Sequence, residues 1–151
     1  MTERVLLVDD DPVFLAVYQG VLSQHFQVQT AEGPERALEL VLDHGPFAVI
    51  ISDMHMPGMD GLSFLDRIRQ ISPRTVKIML TGLPDLQTAM TALNVTGVFG
   101  FFSKECASSE LVVKVRAAIA EYRRRTSRSA ETVPASDILS KEEREFFFNK
   151  D

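Results

Sequence analysis

Residues 5–11 read Val-Leu-Leu-Val-Asp-Asp-Asp, a short apolar run that ends abruptly in three carboxylates. Four further apolar runs of strand length follow along the chain, at residues 28–31, 48–51, 76–80 and 98–102. Runs that are apolar almost throughout are typical of strands buried on both faces of a parallel sheet. The five runs therefore predict the strands of a single buried sheet.

Helical patterns separate these runs. Apolar residues recur at helical spacing over residues 13–24 and 34–43, and the same spacing follows Asp60, Pro84 and the serines at 108–109. Five strand–helix units with right-handed crossovers predict an α/β protein with helices on both faces of the sheet. The fold that we expect is a flavodoxin-like (βα)5 doubly wound parallel sheet with strand order 2-1-3-4-5 and a short C-terminal extension.

Length and charge exclude several classes of protein. The chain has 151 residues, which suits one domain with a short appendage. Its formal net charge of −5 argues against a basic nucleic-acid-binding protein, and its single cysteine excludes a disulfide framework. The sequence has no 18-residue apolar run and no signal-peptide pattern. We therefore expect a cytoplasmic protein without a membrane or direct nucleic-acid partner.

The acidic residues concentrate where the predicted sheet binds ligands. In the expected order, strands 1 and 3 are neighbours, and their carboxyl ends carry Asp9, Asp10 and Asp11 on one strand and Asp53 on the other. Two unit charges ~4 Å apart repel by about 4 kcal/mol at an effective dielectric constant near 20, so either some of these carboxylates are protonated or a cation lies among them. Oxygen ligands favour Mg²⁺. The alternative is a solvated turn that caps the helix from Pro12.

Two further residues suit a phosphate group. Thr81 follows the fourth apolar run and can donate a hydroxyl hydrogen bond, and Lys104 follows the fifth run and can pair with an anion. Taken singly, each residue also fits a structural role, as a strand residue or a solvated loop charge. Together with the acids, they predict a metal–phosphate site at one edge of the sheet.

Four motifs in order resemble the receiver domain of response regulators, the CheY-like family of two-component signal transduction. They are Leu-Val-Asp-Asp-Asp-Pro at 7–12, Ser-Asp-Met-His-Met-Pro-Gly-Met-Asp-Gly at 52–61, Met-Leu-Thr-Gly at 79–82 and Phe-Phe-Ser-Lys at 101–104. The resemblance runs from about residue 4 to about residue 123 and implies phosphorelay signalling. A receiver is not an enzyme beyond self-catalysed phosphoryl transfer and autodephosphorylation.

The resemblance also implies roles for the acidic residues. Asp53 resembles the phosphoacceptor, which takes a phosphoryl group from a sensor histidine kinase or a phosphotransfer protein. Mg²⁺ would be held by Asp9, Asp10 and Asp53 together with the backbone carbonyl of His55. The side chain of His55 lies at a position where receivers tune the lifetime of the phosphoryl group. The equal alternative is that His55 is an exposed loop histidine without such a role.

The remaining implied roles concern signal output. Thr81 and Lys104 would contact the phosphoryl oxygens, and Phe101 occupies the position of an aromatic switch. The output surface would combine the fourth predicted helix, the fifth strand and the fifth predicted helix. It would bind a downstream protein, a missing effector domain or a second copy of the chain.

One position departs from the family pattern. Receivers usually have proline after the lysine, whereas this chain has Glu105 after Lys104. A cis bond before a residue other than proline costs ~2.5–4 kcal/mol, so either a trans bond with a shifted loop or a strained cis bond is expected. Glu105 is also expected to tune the site by weakening phosphate or Lys104 pairing.

The end of the chain differs from the rest. We expect a receiver domain at residues 1–123 and a linker with a short helical tail at residues 124–151, which contains the Phe-Phe-Phe run at 146–148. This run is a candidate contact for the chain's own receiver, a second copy or a missing domain. An alternative is that the chain is the N-terminal fragment of a longer regulator with an output domain such as a cyclic-di-nucleotide hydrolase.

Two other functions fit parts of the sequence. A haloacid-dehalogenase-like phosphatase would use Asp9 as nucleophile, but it would leave Asp53 unexplained and it lacks the acidic motif expected after the lysine. A phosphorylation-independent scaffold of receiver fold is favoured by Glu105 but opposed by four intact residues, Asp10, Asp53, Thr81 and Lys104.

Overall fold

A computed structural model describes residues 3–81, 97–104 and 108–131 of the chain, with only the backbone described for residue 81 and residues 128–131. The strands are β1 Arg4–Asp9, β2 Gln27–Glu32, β3 Val49–Asp53, β4 Val76–Thr81 and β5 Gly100–Ser103. All pair in parallel, in the order β2-β1-β3-β4-β5. The predicted flavodoxin-like sheet and its strand order are confirmed.

The strands extend into the polar residues that follow the apolar runs. Asp9, Asp53 and Thr81 are each the last residue of a strand. Strand pairing includes these polar residues, since Asp53 lies opposite Leu80 and Thr81 lies opposite Ser103. Backbone hydrogen bonding in the sheet therefore fixes the polar residues.

The described helices are α1 Pro12–Leu22, α2 Pro34–His44, α3 Gly61–Ile71 and α4 Ser108–Glu131. Here α4 is the fifth of the helices predicted from sequence, and the helix predicted after Pro84 falls outside the described residues. The Asp11 carboxylate caps α1 by accepting from the backbone N–H of Val13 at 3.0 Å. The predicted Asp60 cap of α3 is also present, with a 2.7 Å bond from the N–H of Ser63.

Hydrophobic clusters cover both faces of the sheet. Successive residues of β1 alternate between them: Leu6 packs with Ile50 and Phe64 on the face covered by α2 and α3. Leu7 packs with Ile51 on the opposite face, beneath α1 and α4. Burial on both faces explains why the central strands β1 and β3 have apolar runs without alternation. The edge strand β2 differs, because its sequence is mostly polar and only Ala31 of it is buried. In the described part of the chain, no helix is both long enough and apolar enough to span a membrane.

Helix α4 continues past residue 124, where a linker was predicted to begin, and ends at Glu131. Glu121 accepts hydrogen bonds from Arg124 Nε and Arg125 Nε, both at 2.9 Å. The Thr126 hydroxyl donates to the Tyr122 carbonyl at 3.1 Å. Pairs three and four residues apart stabilise a helix, so the arginine run extends it rather than ending it. Residues 132–151 lie outside the described residues, and the domain division stays a prediction.

One charged residue lies inside an apolar run. Lys77 on β4 is 3% exposed, although its neighbours along the strand belong to the hydrophobic core. Burial lowers the pKa of the Lys77 ammonium to about 8, and the positive charges of Arg125 and Arg69 act in the same direction against the weaker effect of Asp66. The folded state therefore holds this proton less tightly than the unfolded chain does.

We predict that Lys77→Met raises the free energy of unfolding at pH 7 by ~1–3 kcal/mol, because methionine buries no charge. The unfolded chain binds more protons between pH 8 and 10.5, so wild-type stability should rise through that window. Urea unfolding across this pH range measures both effects. Lys114→Met, at a partly exposed position on α4, serves as the matched control. Because it leaves Lys77 in place, its stability should still rise through the same pH window. A Lys77→Met profile that still rises as the wild type does would contradict the assignment.

Candidate functional site

The strand order brings four chain positions to one edge of the sheet. Asp9 ends β1, Asp53 ends the adjacent β3, and Thr81 ends β4. Lys104 directly follows β5, the edge strand beyond β4. All of these strands run parallel, so their carboxyl ends share the edge at which sheets of this kind bind ligands. The structure thus brings together the sequence positions that predicted a metal–phosphate site.

At the centre of this edge, two buried carboxylates share one ammonium group. Lys104 Nζ lies 2.6 Å from Asp9 Oδ2 and 3.4 Å from Asp53 Oδ1. Asp9 is fully buried and Asp53 is 6% exposed, whereas the Lys104 side chain is 22% exposed. The backbone N–H of Asp11 also donates to Asp9 Oδ1 at 2.9 Å. Asp9 is therefore fixed by both the lysine and its own turn.

Asp10 completes an acidic group that opens to solvent. One carboxylate oxygen from each of Asp9, Asp10 and Asp53 lies within 4.8 Å of the other two. Asp10 is exposed, so the group is buried on one side and accessible on the other. Oxygen donors of this kind suit a hard divalent cation such as Mg²⁺. Asp11 instead uses its carboxylate to cap α1.

Burial and neighbouring charges shift the pKa values of Asp9 and Lys104. Burial raises the pKa of the Asp9 carboxyl, the charge of Asp53 adds to the rise, and the bonds from Lys104 and the Asp11 N–H oppose it. Burial alone would lower the pKa of Lys104, but pairing with Asp9 and attraction to Asp53 outweigh it and raise that pKa. If all three carboxylates are ionised, they and the one ammonium carry a net charge of −2, which a divalent cation would balance.

The loop after β3 folds tightly over the end of the strand. The N–H of Gly61 donates to the Met54 carbonyl at 2.7 Å, and the N–H of Met54 donates to the Leu80 carbonyl at 3.0 Å. A Cβ on Gly61 would lie 2.3 Å from the Asp53 carbonyl oxygen, so no other residue fits. His55 within this loop is exposed, and its proposed ligand and tuning roles stay predictions.

The other predicted site residues lie around this centre. Phe101 on β5 pairs in register with Met79 and packs, partly buried, against the cluster containing Phe64. Thr81 has the expected place at the end of β4, but its side chain is outside the described part of the chain. Glu105 and the peptide bond before it also lie outside that part.

Sequence reasoning missed two aromatic residues beside the lysine. Phe14 counted only as one of the apolar residues at helical spacing over residues 13–24, and Tyr18 had no role. In the structure, Lys104 Nζ lies 4.4 Å from the Phe14 ring centroid, and the Tyr18 hydroxyl donates to the Lys104 carbonyl at 3.4 Å. The usable signal was an aromatic pair at i, i+4 on the helix that directly follows the site acids.

Comparison with known proteins agrees with this geometry. A sequence model of the response regulator receiver domain matches residues 5–116. The receiver domain of an HD domain-containing protein from Pseudomonas fluorescens Pf-5 is 34% identical, with a TM-score of 0.77, covering 82% of this chain and 99% of that one. A structure described as an adenylate cyclase from Rhodopirellula baltica is 42% identical, with a TM-score of 0.82, covering 86% of this chain and 96% of that one.

A curated relative is much longer than this chain. The hydrogenase transcriptional regulatory protein HoxA of Cupriavidus necator is 30% identical over 115 residues, which cover 76% of this chain and 24% of that protein. The chain therefore spans about a quarter of the length of this relative.

The chain belongs to the response regulator receiver domain family, and it is a CheY-like receiver of two-component signalling. This membership leaves the phosphatase alternative without support, because that interpretation gave Asp53 no role. It also agrees with the acidic pocket at which receivers of this family bind Mg²⁺.

We predict that Asp53→Asn raises the free energy of unfolding by ~1 kcal/mol when divalent metal is removed with a chelator. The substitution removes a buried like charge beside Asp9, while Lys104 keeps its closer partner. Chemical denaturation at pH 7 measures the difference. The matched control, Asp43→Asn at an exposed position on α2, should change stability by less than ~0.5 kcal/mol. A clear loss of stability in Asp53→Asn would show that repulsion does not dominate this cluster.

Proposed function

We propose that Asp53 accepts a phosphoryl group from a sensor histidine kinase or a phosphotransfer protein, and that the phosphorylated receiver alters its binding to a downstream partner. The observation that carries this proposal is the convergence of buried Asp9 and Asp53 on Lys104, with the exposed Asp10 within 4.8 Å of both acids.

Asp53 is suited to act as the nucleophile because the fold fixes its carboxylate at an accessible edge. It ends a central strand, is 6% exposed and lies next to the solvent-open Asp10. In the transfer, a P–O bond forms to an Asp53 oxygen as the P–N bond of phosphohistidine breaks. The imidazole leaves with the bonding electron pair, and the phosphoryl group remains on Asp53.

Lys104 is suited to stabilise the transferred group. Its Nζ is already 3.4 Å from Asp53 Oδ1, and its raised pKa keeps it protonated at neutral pH. A fixed cation beside the acceptor offsets the charge that accumulates on the phosphoryl oxygens. We propose that Thr81, at the adjacent strand end, contributes a second phosphoryl contact.

The acids are suited to hold Mg²⁺. The three described carboxylates and the two uncompensated charges fit a hard divalent ion, and the proposed fourth protein ligand is the His55 carbonyl. When bound, Mg²⁺ supplies charge compensation for the incoming phosphoryl group. The protein's own part is to hold Asp9 and Asp10 on one side of Asp53 and Lys104 on the other.

Output is proposed to pass through β5 and α4. Phosphorylation adds about −1.5 to −2 charges beside Lys104, which directly follows β5. Lys104 would then exchange its Asp9 contact for a phosphoryl contact and bias the segment between β5 and α4. We propose that Phe101 repacks with this change, because it is partly buried on the same short strand.

The partner is either a separate protein, a second copy of the chain or a domain of the same polypeptide. The last case gives a second candidate function. In it, the chain is the N-terminal receiver of a longer regulator and controls an output domain such as a cyclic-di-nucleotide hydrolase. It is favoured by the 34% identity to the receiver of an HD domain-containing protein. It is also favoured by the match to HoxA, which covers only 24% of the length of that protein. The mass of the endogenous protein, detected by immunoblot, distinguishes a free receiver from a longer regulator.

We predict that incubation with acetyl phosphate and Mg²⁺ adds the mass of one phosphoryl group to the wild type and none to Asp53→Asn. The reason is that asparagine lacks the anionic oxygen that attacks phosphorus. Intact-protein mass spectrometry at neutral pH measures the adduct.

The control for this experiment is Asp43→Asn, which removes an exposed carboxylate near the C-terminal end of α2 and should be phosphorylated as the wild type is. Absence of an adduct on the wild type under saturating donor would overturn the proposal. An adduct that persists in Asp53→Asn would move the acceptor to another residue.

A further inference from the structure

We propose that Phe14 and Tyr18 of α1 form an aromatic pair that positions Lys104 for phosphoryl transfer. This inference rests on the proposed function, since it assigns the pair to the phosphorylation of Asp53. Phe14 acts on the ammonium of Lys104 and Tyr18 acts on its backbone carbonyl, so the two residues hold both ends of the lysine.

The ammonium end is held by a ring as well as by carboxylates. Lys104 Nζ lies 4.4 Å from the Phe14 centroid, in the range at which an aromatic face attracts a cation. The same atom lies 2.6 Å from Asp9 and 3.4 Å from Asp53. A lysine side chain has many rotamers, and these three neighbours on different elements restrict it to one region.

The backbone end is held by the second ring. The Tyr18 hydroxyl donates a long, 3.4 Å hydrogen bond to the Lys104 carbonyl. The two rings stack with centroids 4.4 Å apart and planes inclined by 27°, so each aromatic side chain supports the other. The residue after Lys104 is a glutamate, so no proline ring restricts the backbone there. The hydrogen bond from the Tyr18 hydroxyl then helps to set the orientation of the Lys104 carbonyl.

The pair is tied to the acids through α1. Asp11 caps this helix and donates its own N–H to Asp9, so the turn that carries the acids leads directly into the helix that carries the rings. Leu15 and Leu22 anchor α1 in the core. The distance between the acids and the rings is thereby set by one continuous element.

A ring suits this position because Lys104 has to exchange partners. During phosphorylation the ammonium leaves a carboxylate at 2.6 Å for a phosphoryl oxygen. An aromatic face attracts the cation without a formal charge that competes with the phosphoryl group. Phe14 can therefore keep the ammonium near Asp53 throughout the exchange.

The test compares rate constants for phosphorylation by phosphoramidate at saturating Mg²⁺. This donor is small, so the rate does not depend on a protein that might dock on α1. We expect Phe14→Leu to slow phosphorylation by about three- to tenfold and Tyr18→Phe by about two- to threefold. Phe14→Tyr, which keeps the ring, should stay within about twofold of wild type. Val17→Leu, at a 56% exposed position on the same helix, is the control and should not change the rate.

A second readout follows the contact itself. In NMR spectra of the unphosphorylated protein, the Phe14 ring should shift the ε-methylene protons of Lys104 upfield. The shift should be present in wild type and Phe14→Tyr and lost in Phe14→Leu. It remains measurable in Phe14→Tyr and Tyr18→Phe if Phe14→Leu does not fold, and absence of the shift in wild type would overturn the contact.

The outcomes separate this inference from the proposed function. A Phe14→Leu rate equal to wild type would overturn the positioning role and leave phosphorylation intact. A slow Phe14→Leu that Phe14→Tyr does not rescue would also overturn it, because general packing would then be the cause. A wild type that phosphoramidate does not phosphorylate, but that shows the ring shift, would overturn the proposed function instead.

Discussion

Two buried carboxylates that share one ammonium are the interaction on which this receiver's site depends. Asp9 and Asp53 end adjacent strands and would repel each other strongly without Lys104, whose Nζ lies 2.6 and 3.4 Å from them. One lysine does not neutralise three acids, so the edge keeps negative charge that attracts a cation. The same lysine is the group best placed to respond when Asp53 gains a phosphoryl group.

The fold makes this interaction possible through strand order. The order β2-β1-β3-β4-β5 places Asp9 and Asp53 side by side and puts Lys104 beyond β4, within reach of both. Around this centre, the contacts divide into those that fix the acids and those that fix the lysine. The Asp11 turn and the close packing at Gly61 belong to the first group, and the Phe14–Tyr18 pair belongs to the second. Phosphorylation would change the contact between Lys104 and Asp9, which joins the two groups, and Lys104 directly follows β5.

The sequence predicted the sheet because its central strands β1 and β3 are apolar on both faces, and it predicted the α3 cap because Asp60 precedes an amphipathic stretch. It did not predict the end of α4, since the Arg124 and Arg125 pairs with Glu121 outweigh the small polar residues that follow. The burial of Lys77 was not predicted. The residue was counted only as part of an apolar run, and sequence alone does not reveal that its side chain is buried. The contact of Phe14 with Lys104 joins residues far apart in the chain, and only the packing of α1 against the sheet edge sets that distance.

Calorimetric titration of the unphosphorylated receiver with Mg²⁺ tests the central claim most directly, because one shared lysine leaves negative charge that a divalent cation would balance. We expect one Mg²⁺ to bind per chain, with affinity reduced about tenfold or more in Asp10→Asn, a loss of about 1.4 kcal/mol for each factor of ten. Asp43→Asn should bind Mg²⁺ as the wild type does. Absence of Mg²⁺ binding, or equal affinity in the wild type and Asp10→Asn, would contradict the assignment of this edge as a cation-assisted phosphoryl site.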